Sequence, residues 1–119
     1  MKKVTQRTEI IHKNRDFLNL YRRGKKVGSP YIVVYVRKNR RQYNRLGITV
    51  GKKVGNAVKR NHAKRVIRAA YRQAESAIPL GLDIIIVATP KILEVSSTQL
   101  GDYLMGSCVK RMKKALQIS

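Results

Sequence analysis

The residues best placed to do chemistry are basic side chains between positions 56 and 75, because their spacing puts them on one face of a helix. At 100° per residue, this stretch separates into an apolar arc and an adjoining basic arc. The apolar arc contains Ala63, Val66, Ile67, Ala70 and Ala74, and the basic arc contains Arg60, Asn61, Lys64, Arg65, Arg68 and Arg72. Like charges four residues apart cost an isolated helix about 0.2 to 0.5 kcal/mol per pair, and no acid is interleaved. The pattern favours a phosphate-binding face over a solvated one.

The segment that leads into this helix is Gly51-Lys52-Lys53-Val54-Gly55. It places Lys52 and Lys53 beside a helix N-terminus, where backbone N–H groups favour anions. A mononucleotide P-loop requires a Gly, four residues and then Gly-Lys-Ser/Thr. Here only three residues separate Gly47 from Gly51, and no hydroxyl is offered to Mg²⁺. Polynucleotide phosphate is therefore the expected ligand.

Aromatic residues supply a second signal. Phe17 and Tyr21 are four residues apart on a predicted helix, and Tyr31 and Tyr35 are four apart on one face of a predicted strand. If the helix packs beside the strand, the rings could line one groove, where each unpaired base stacks with about 1 to 3 kcal/mol. Core packing is an equal alternative for the tyrosines and the favoured one for Phe17.

Carboxylates are missing where a metal-dependent protein nuclease would need them. The six acids are Glu9, Asp16, Glu75, Asp83, Glu94 and Asp102, so the segment from Phe17 to Ala74 has none beside its 17 Lys and Arg. His12 and His62 remain open as an acid/base pair, although neither has an acid near it in sequence, and a histidine on a basic helix is more often a phosphate contact. We expect no catalytic residue and no metal site in the chain.

Composition points to one globular domain over residues 1–119, with its ordered core at roughly 10–116. The chain has 119 residues, 27 Lys and Arg, 6 Asp and Glu, a net charge of +21 and 43% hydrophobic residues. Two cores would each be too small, and the patterned apolar content excludes a wholly disordered basic tail. Such a charge requires an anionic partner, nucleic acid first and an anionic membrane surface second.

Cysteine usage and the N-terminus favour a cytoplasmic location. Cys108 is the single cysteine, so no internal disulfide forms, and two histidines add too little for a zinc site. The charged N-terminus runs into Thr8 and Glu9 without the apolar segment of a signal peptide. The longest aliphatic run, Ile84 to Ala88, is far short of the roughly 20 residues that cross a bilayer.

The element order that must position these residues is α-β-β-α-β-α, an α+β sandwich of helices on a small sheet. The first helix is capped by Asn14 or Asp16 and stopped by Gly24, and the last is capped by Ser96 or Ser97. Strands are expected at 31–36, 46–50 and 82–88, the first two as a hairpin, and the central helix at about 56–75. In the last helix, which ends near Leu116, the predicted core positions are Leu100, Leu104, Val109, Met112 and Leu116.

The 17 residues from Lys52 to Arg68, KKVGNAVKRNHAKRVIR, closely resemble the signature of the bacterial ribonuclease P protein component. Supporting matches, in the same order and spacing over roughly residues 10–116, are Asp16-Phe17, Gly24-Lys25, Tyr35, Arg45-Leu46-Gly47-Ile48 and Asp83-Ile84-Ile85-Ile86. One position departs from the pattern, because His62 stands where the family often has Arg. That contact would depend on pH.

The resemblance implies a basic subunit that assists a catalytic RNA in removing the 5′ leader from precursor tRNA with Mg²⁺, which the RNA would mainly hold. The protein would lower the demand for Mg²⁺ and would need no further protein partner. The resemblance implies contact with the catalytic RNA through Lys52, Lys53, Arg60, Asn61, Lys64, Arg65 and Arg68, and a leader cleft lined by Phe17, Tyr21 and Tyr35. It also implies the fold of the second domain of ribosomal protein S5, with a left-handed β-α-β crossover, whereas about 98% of parallel crossovers are right-handed.

Two other functions compete with this one. A structural RNA-binding protein of the ribosomal type shares the charge and size but does not require an aromatic cleft. An independent nuclease would cleave RNA with Mg²⁺ and no RNA partner.

Overall fold

The computed structural model describes residues 3–5 and 8–118. Ten helices and strands make up its regular structure: β1 (Lys3–Thr5), β2 (Thr8–Ile10), α1 (Asn14–Arg23), β3 (Lys25–Gly28), β4 (Ile32–Lys38), β5 (Asn44–Thr49), α2 (Ala57–Ala74), β6 (Leu82–Ala88), α3 (Ser97–Tyr103) and α4 (Val109–Leu116). Short 3-10 turns occupy Lys52–Val54, Glu75–Ala77 and Pro90–Glu94. The predicted α+β class is confirmed. Strands β1, β2 and β3 were not predicted, because they are only three or four residues long and carry no alternating apolar pattern.

The strands form one mixed sheet in the order β1-β2-β5-β6-β4-β3. The predicted hairpin between β4 and β5 is wrong, because β6 lies between them, antiparallel to β4 and parallel to β5. Ile84, Ile85 and Ile86 explain this position: all three are buried, so β6 needs cover on both faces and a strand on each side. The parallel pair β5 and β6, joined through α2, makes a β-α-β unit.

The core lies between one face of the sheet and helices α2, α3 and α4. All five residues of the predicted apolar arc of α2 are buried, and Tyr71 is buried with them. In the last helical segment Leu100, Leu104, Val109 and Met112 are buried, and Leu116 packs against the core while half-buried. Each of these core predictions is confirmed.

The helix ends match the predictions only in part. Asn56 caps α2, its side chain accepting a hydrogen bond from the backbone N–H of Lys59, and Ser96 forms a capping box at α3. The predicted cap of α1 is wrong: its N-cap is Lys13, without a side-chain hydrogen bond, because the Asp16 carboxylate faces Arg45 instead. The predicted single C-terminal helix is divided into α3 and α4 by a π-helical turn at Leu104–Cys108.

Cys108 gives the core a measurable pH dependence. Burial raises the pKa of its thiol to about 11, from an ordinary value of 9.0. Its contribution to stability is fully present below pH 9 and is lost as the pH rises toward 11, because the unfolded chain releases this proton first. Between pH 8 and pH 10.5, urea unfolding should show about 1 to 2 kcal/mol more loss in the wild type than in Cys108→Ala. Equal losses in the two proteins would contradict this assignment.

No helix among the described residues is long and apolar enough to cross a bilayer. Within the same residues no group of three or more His, Cys, Asp and Glu side chains is placed to hold a metal ion.

Candidate nucleic-acid interface

Three aromatic rings meet where α1 packs on the sheet face opposite the main core. The ring centroids of Phe17 and Tyr21 lie 6.4 Å apart, and those of Tyr21 and Tyr35 lie 5.0 Å apart in an edge-to-face arrangement. We call Phe17, Tyr21 and Tyr35 the aromatic cluster. Tyr31 does not join it, because this residue precedes β4 and packs against the hydrophobic core. The predicted pairing of Tyr31 with Tyr35 in one groove is therefore wrong.

The aromatic cluster is partly open to solvent. Tyr21 is exposed and its hydroxyl oxygen lies 3.0 Å from Oγ1 of Thr49, while Tyr35 and Phe17 are half-buried. Composition alone favoured the core for Phe17, whereas the resemblance placed it in the cleft; in the structure it lines a surface groove with Lys64 and Arg68 of α2. Each of the three rings is thus both packed and reachable.

Gly47 makes the position of Phe17 possible. A Cβ atom at Gly47 would lie 2.7 Å from Cε1 and Cζ of Phe17, far inside contact distance. Gly47 pairs in register with Ile85, which pairs in turn with Tyr35, so these residues form the floor beneath the rings. Only a residue without a side chain lets α1 approach the sheet this closely.

Gly47→Ala should displace the Phe17 ring, and overpacking of this kind typically lowers the free energy of unfolding by about 1 to 3 kcal/mol. Gly51→Ala is the matched control, since Gly51 is extended, with φ −83°, and has no atom within 4 Å of its would-be Cβ. Urea unfolding of the two variants measures the difference. Equal stability of both would show that α1 has room to move.

Helix α2 presents its basic arc beside the aromatic cluster. We call Arg60, Asn61, Lys64, Arg65 and Arg68 the α2 stripe. Arg60, Asn61 and Lys64 line a groove of about 250 Å³. Lys64 and Arg68 continue into a second groove, of about 140 Å³, whose wall includes Phe17. Lys64 lines both grooves, so the stripe and the cluster form one continuous surface.

The remaining predicted contacts lie outside these two grooves. Lys52 and Lys53 are exposed on the 3-10 turn before α2, and Arg65 is exposed on α2 itself. His62 is exposed on the same helix. His12 lines a different groove with Lys13 and Asp16, and His62 has no part in it.

A charge network that sequence reasoning missed fixes the start of α1. The Arg45 guanidinium binds the Asp83 carboxylate through two hydrogen bonds, Nε to Oδ1 at 2.8 Å and Nη2 to Oδ2 at 2.6 Å. Its Nη1 lies 3.5 Å from Oδ2 of Asp16, and Asn39 Nδ2 donates to Oδ1 of Asp83 at 2.9 Å. The hydrogen bond to Asp83 raises the pKa of Arg45, against desolvation, which lowers it.

This network ties the first turn of α1 to β5 and β6, one residue before Phe17. The acids that border the central basic segment in sequence are Asp16 and Glu75, so the order of residues offered no reason to pair Arg45 with Asp83. Their separation in sequence concealed the contact.

Comparison with known proteins identifies ribonuclease P proteins as relatives of this chain. The family model for Ribonuclease P matches residues 5–113. The ribonuclease P protein component of Clostridioides difficile is 37% identical over 114 residues, covering 95% of this chain and 96% of the relative. That of Thermotoga maritima is 41% identical over 88 residues, 74% of this chain and 75% of the relative.

Solved structures share the fold. The RNase P protein of Staphylococcus aureus superposes with a TM-score of 0.74 at 37% identity, covering 90% of this chain and 96% of the other. The RNase P protein of Thermotoga maritima gives a TM-score of 0.76 at 36% identity, covering 87% and 96%.

Fold and site together define a basic α+β protein that carries aromatic rings and a cationic helix on one surface, features typical of nucleic-acid-binding proteins. These sequence relatives and solved structures are all ribonuclease P proteins, which form a single family within that class. The chain belongs to the family of ribonuclease P protein components, the protein subunits of the endoribonuclease that processes the 5′ leader of precursor tRNA. Membership implies association with ribonuclease P RNA.

Proposed function

We propose that this subunit holds the single-stranded 5′ leader of precursor tRNA on the aromatic cluster while the α2 stripe, with Lys52 and Lys53, contacts the catalytic RNA. The observation that carries the proposal is the groove shared by Phe17, Lys64 and Arg68. An aromatic residue and two cations in one groove suit an unpaired strand, whose bases stack on rings and whose phosphates need countercharge. The alternative of a purely structural RNA-binding protein gives no reason for this juxtaposition.

We assign the chemistry to the RNA partner and no catalytic role to this chain. Mg²⁺ would be held mainly by RNA, because the protein surface at this site is cationic and the carboxylates of Asp16 and Asp83 face Arg45. Cations of the protein neutralise phosphates that Mg²⁺ would otherwise screen, so the protein lowers the Mg²⁺ that the RNA needs.

The decisive test is cleavage of a 5′-extended precursor tRNA by a bacterial ribonuclease P RNA at low Mg²⁺, with and without this protein. We expect correct 5′ cleavage only when both are present. Absence of rescue with RNA binding intact would favour the structural RNA-binding alternative. Reproducible cleavage by the protein without RNA would establish an independent nuclease and contradict the proposal.

The α2 stripe has its own prediction. Arg65→Ala and Arg68→Ala should each weaken binding to the catalytic RNA and reduce the log-log salt slope by about 0.7 to 0.9 for each phosphate that the variant no longer neutralises. Lys110→Ala, on the exposed side of α4 and outside both grooves of the α2 stripe, is the control and should leave the slope unchanged. A salt titration of binding measures all three variants. An unaltered slope for both arginine variants would show that Arg65 and Arg68 belong to an ordinary solvated face and neutralise no RNA phosphate.

Further features of the subunit follow from its family. We propose that the chain acts as a single RNA-binding domain in the cytoplasm and needs no other protein for assembly. We also propose that the β5-α2-β6 connection is left-handed, as in the fold of the second domain of ribosomal protein S5. Family membership supports this hand against the general preference for right-handed crossovers.

A further inference from the structure

A second basic surface lies near the opposite edge of the sheet from the α2 stripe. Lys25 of β3, Arg37 and Lys38 of β4, and Arg40 line a groove of about 460 Å³ against the end of α4. Strand β3 is the last strand on this side, whereas the grooves of the α2 stripe are lined by residues of β2 and β5. Neither the aromatic cluster nor the α2 stripe uses these four cations.

The groove has no countercharge among the described residues. No acid lines it, and the acid paired in register with Arg37 is Asp83, whose two oxygens are bound by Arg45. The ion pairs of the described residues both belong to Arg45. Arg37, Lys38 and Arg40 also line a neighbouring groove with Asp83, but Arg45 already matches the charge of that carboxylate. The four cations therefore have no ion-pair partner among the described residues.

The C-terminal end of α4 does not account for this cluster. A helix terminus carries roughly half a negative charge, which is small against four cations. Its last carbonyl groups are also partly occupied, because the backbone N–H groups of Gln117 and Ile118 donate to Lys114 and Lys113. The α4 helix itself adds further positive charge in its last turn, at Lys113 and Lys114.

The lining of the groove indicates the kind of nucleic acid it suits. No aromatic ring lines it, in contrast to the aromatic cluster, so it offers nothing on which an unpaired base can stack. Base-paired RNA presents its phosphates outward and keeps its bases stacked inside the helix, and it is bound through its backbone and shape. A basic groove without rings therefore fits a duplex segment.

We propose that Lys25, Arg37, Lys38 and Arg40 bind the sugar–phosphate backbone of a base-paired segment of the catalytic RNA. This rests on the proposed function, in which that RNA is the permanent partner. The catalytic RNA is favoured over the precursor because the groove needs its countercharge throughout the catalytic cycle, whereas the precursor leaves after each turnover. With β3 three strand spacings, about 14 Å, from β5, the subunit bridges two segments of RNA.

The test compares two double variants that each remove two exposed cations. Lys25→Gln/Lys38→Gln changes the groove, and Arg22→Gln/Lys110→Gln is the matched control on α1 and α4, where neither residue lines the groove. We expect the groove variant to reduce the salt slope for binding the catalytic RNA by about 1.4 to 1.8 and to weaken binding at least about tenfold near 0.1 M salt. The control should retain the wild-type slope. Circular dichroism checks that both variants fold.

Three outcomes separate the possibilities. A groove variant that binds the catalytic RNA with the slope of the control would overturn this inference and leave the proposed function intact. A loss of affinity only for precursor tRNA, measured on preassembled holoenzyme, would overturn the choice of partner. A wild-type protein that fails to bind the catalytic RNA at all would overturn the proposed function, and this inference with it.

A second measurement maps the contact directly. Cys108 is fully buried and is the one cysteine of the chain, so Lys114→Cys on exposed α4 supplies a single accessible thiol. An iron–EDTA reagent attached there should cleave a base-paired segment of the catalytic RNA in the holoenzyme. Cleavage confined to precursor tRNA, or to neither RNA, would contradict the proposal.

Discussion

Phe17→Leu combined with Tyr35→Leu is expected to lower the affinity of the holoenzyme for precursor tRNA toward its affinity for mature tRNA. Each base–ring stack is worth about 1 to 3 kcal/mol, so removing one corresponds to roughly 5-fold to 150-fold in affinity. Leucine preserves apolar contact with Gly47 and Ile85 while removing the flat face. The affinities for precursor and mature tRNA, measured at one salt concentration, give the ratio that tests this prediction.

The control for that experiment is Tyr43→Leu. Tyr43 lies in the loop before β5 and is half-buried, with its hydroxyl accepting a hydrogen bond from Arg41 and no contact with the aromatic cluster. Its replacement should leave the ratio of precursor to mature tRNA affinity unchanged. If the cluster variant also keeps the wild-type ratio while still folding, the leader does not bind on these rings.

Arg45→Met is expected to cause the largest loss of stability among single substitutions of charged residues outside the α2 stripe. Removing one partner of a fully buried ion pair typically costs about 3 to 5 kcal/mol. The Arg45 and Asp83 side chains are 16% and 17% exposed, so this pair is mostly but not fully buried. We therefore expect about 2 to 3 kcal/mol in urea unfolding. The variant removes the ion-pair partner that Asp83 and Asp16 share among the described residues.

Arg37→Met is the control for Arg45, because Arg37 occupies the same row of the sheet, next to Asp83 in register, while both ion pairs of the described residues belong to Arg45. It should cost far less. Arg45→Lys should recover only part of the loss, because an ammonium cannot reproduce the two parallel hydrogen bonds of the guanidinium. Equal stability of the Arg45 and Arg37 methionine variants would show that the network contributes little to the fold.

The helices and the central strand were predictable because their signals are local. The apolar arc of α2 repeats at helical spacing, and the run Ile84-Ile85-Ile86 has the length and composition of a strand covered on both faces. The α2 stripe was predictable for the same reason, since its members are neighbours along one helix. The cap prediction is confirmed where the side chain bonds its own helix, as at Ser96, and wrong where the side chain bonds elsewhere, as at Asp16.

Strand pairing was not predictable in the same way. Strands β4 and β5 are adjacent in sequence, and a short basic connection favoured a hairpin, but β6 arrives from 33 residues beyond β5 and lies between them. The free energy gained by placing the most apolar strand in the middle of the sheet depends on packing across the whole molecule. No window of sequence contains it.

The sequence by itself determined the class of partner, the cationic face of α2 and the resemblance to ribonuclease P proteins, because charge, helical period and a 17-residue signature are properties of the chain. Only the tertiary structure decided which tyrosines join Phe17, that Gly47 makes room for its ring, and that Arg45 holds Asp16 and Asp83 together. These contacts join residues 14 to 38 positions apart, and the register of the sheet and the packing of α1 on it bring them together.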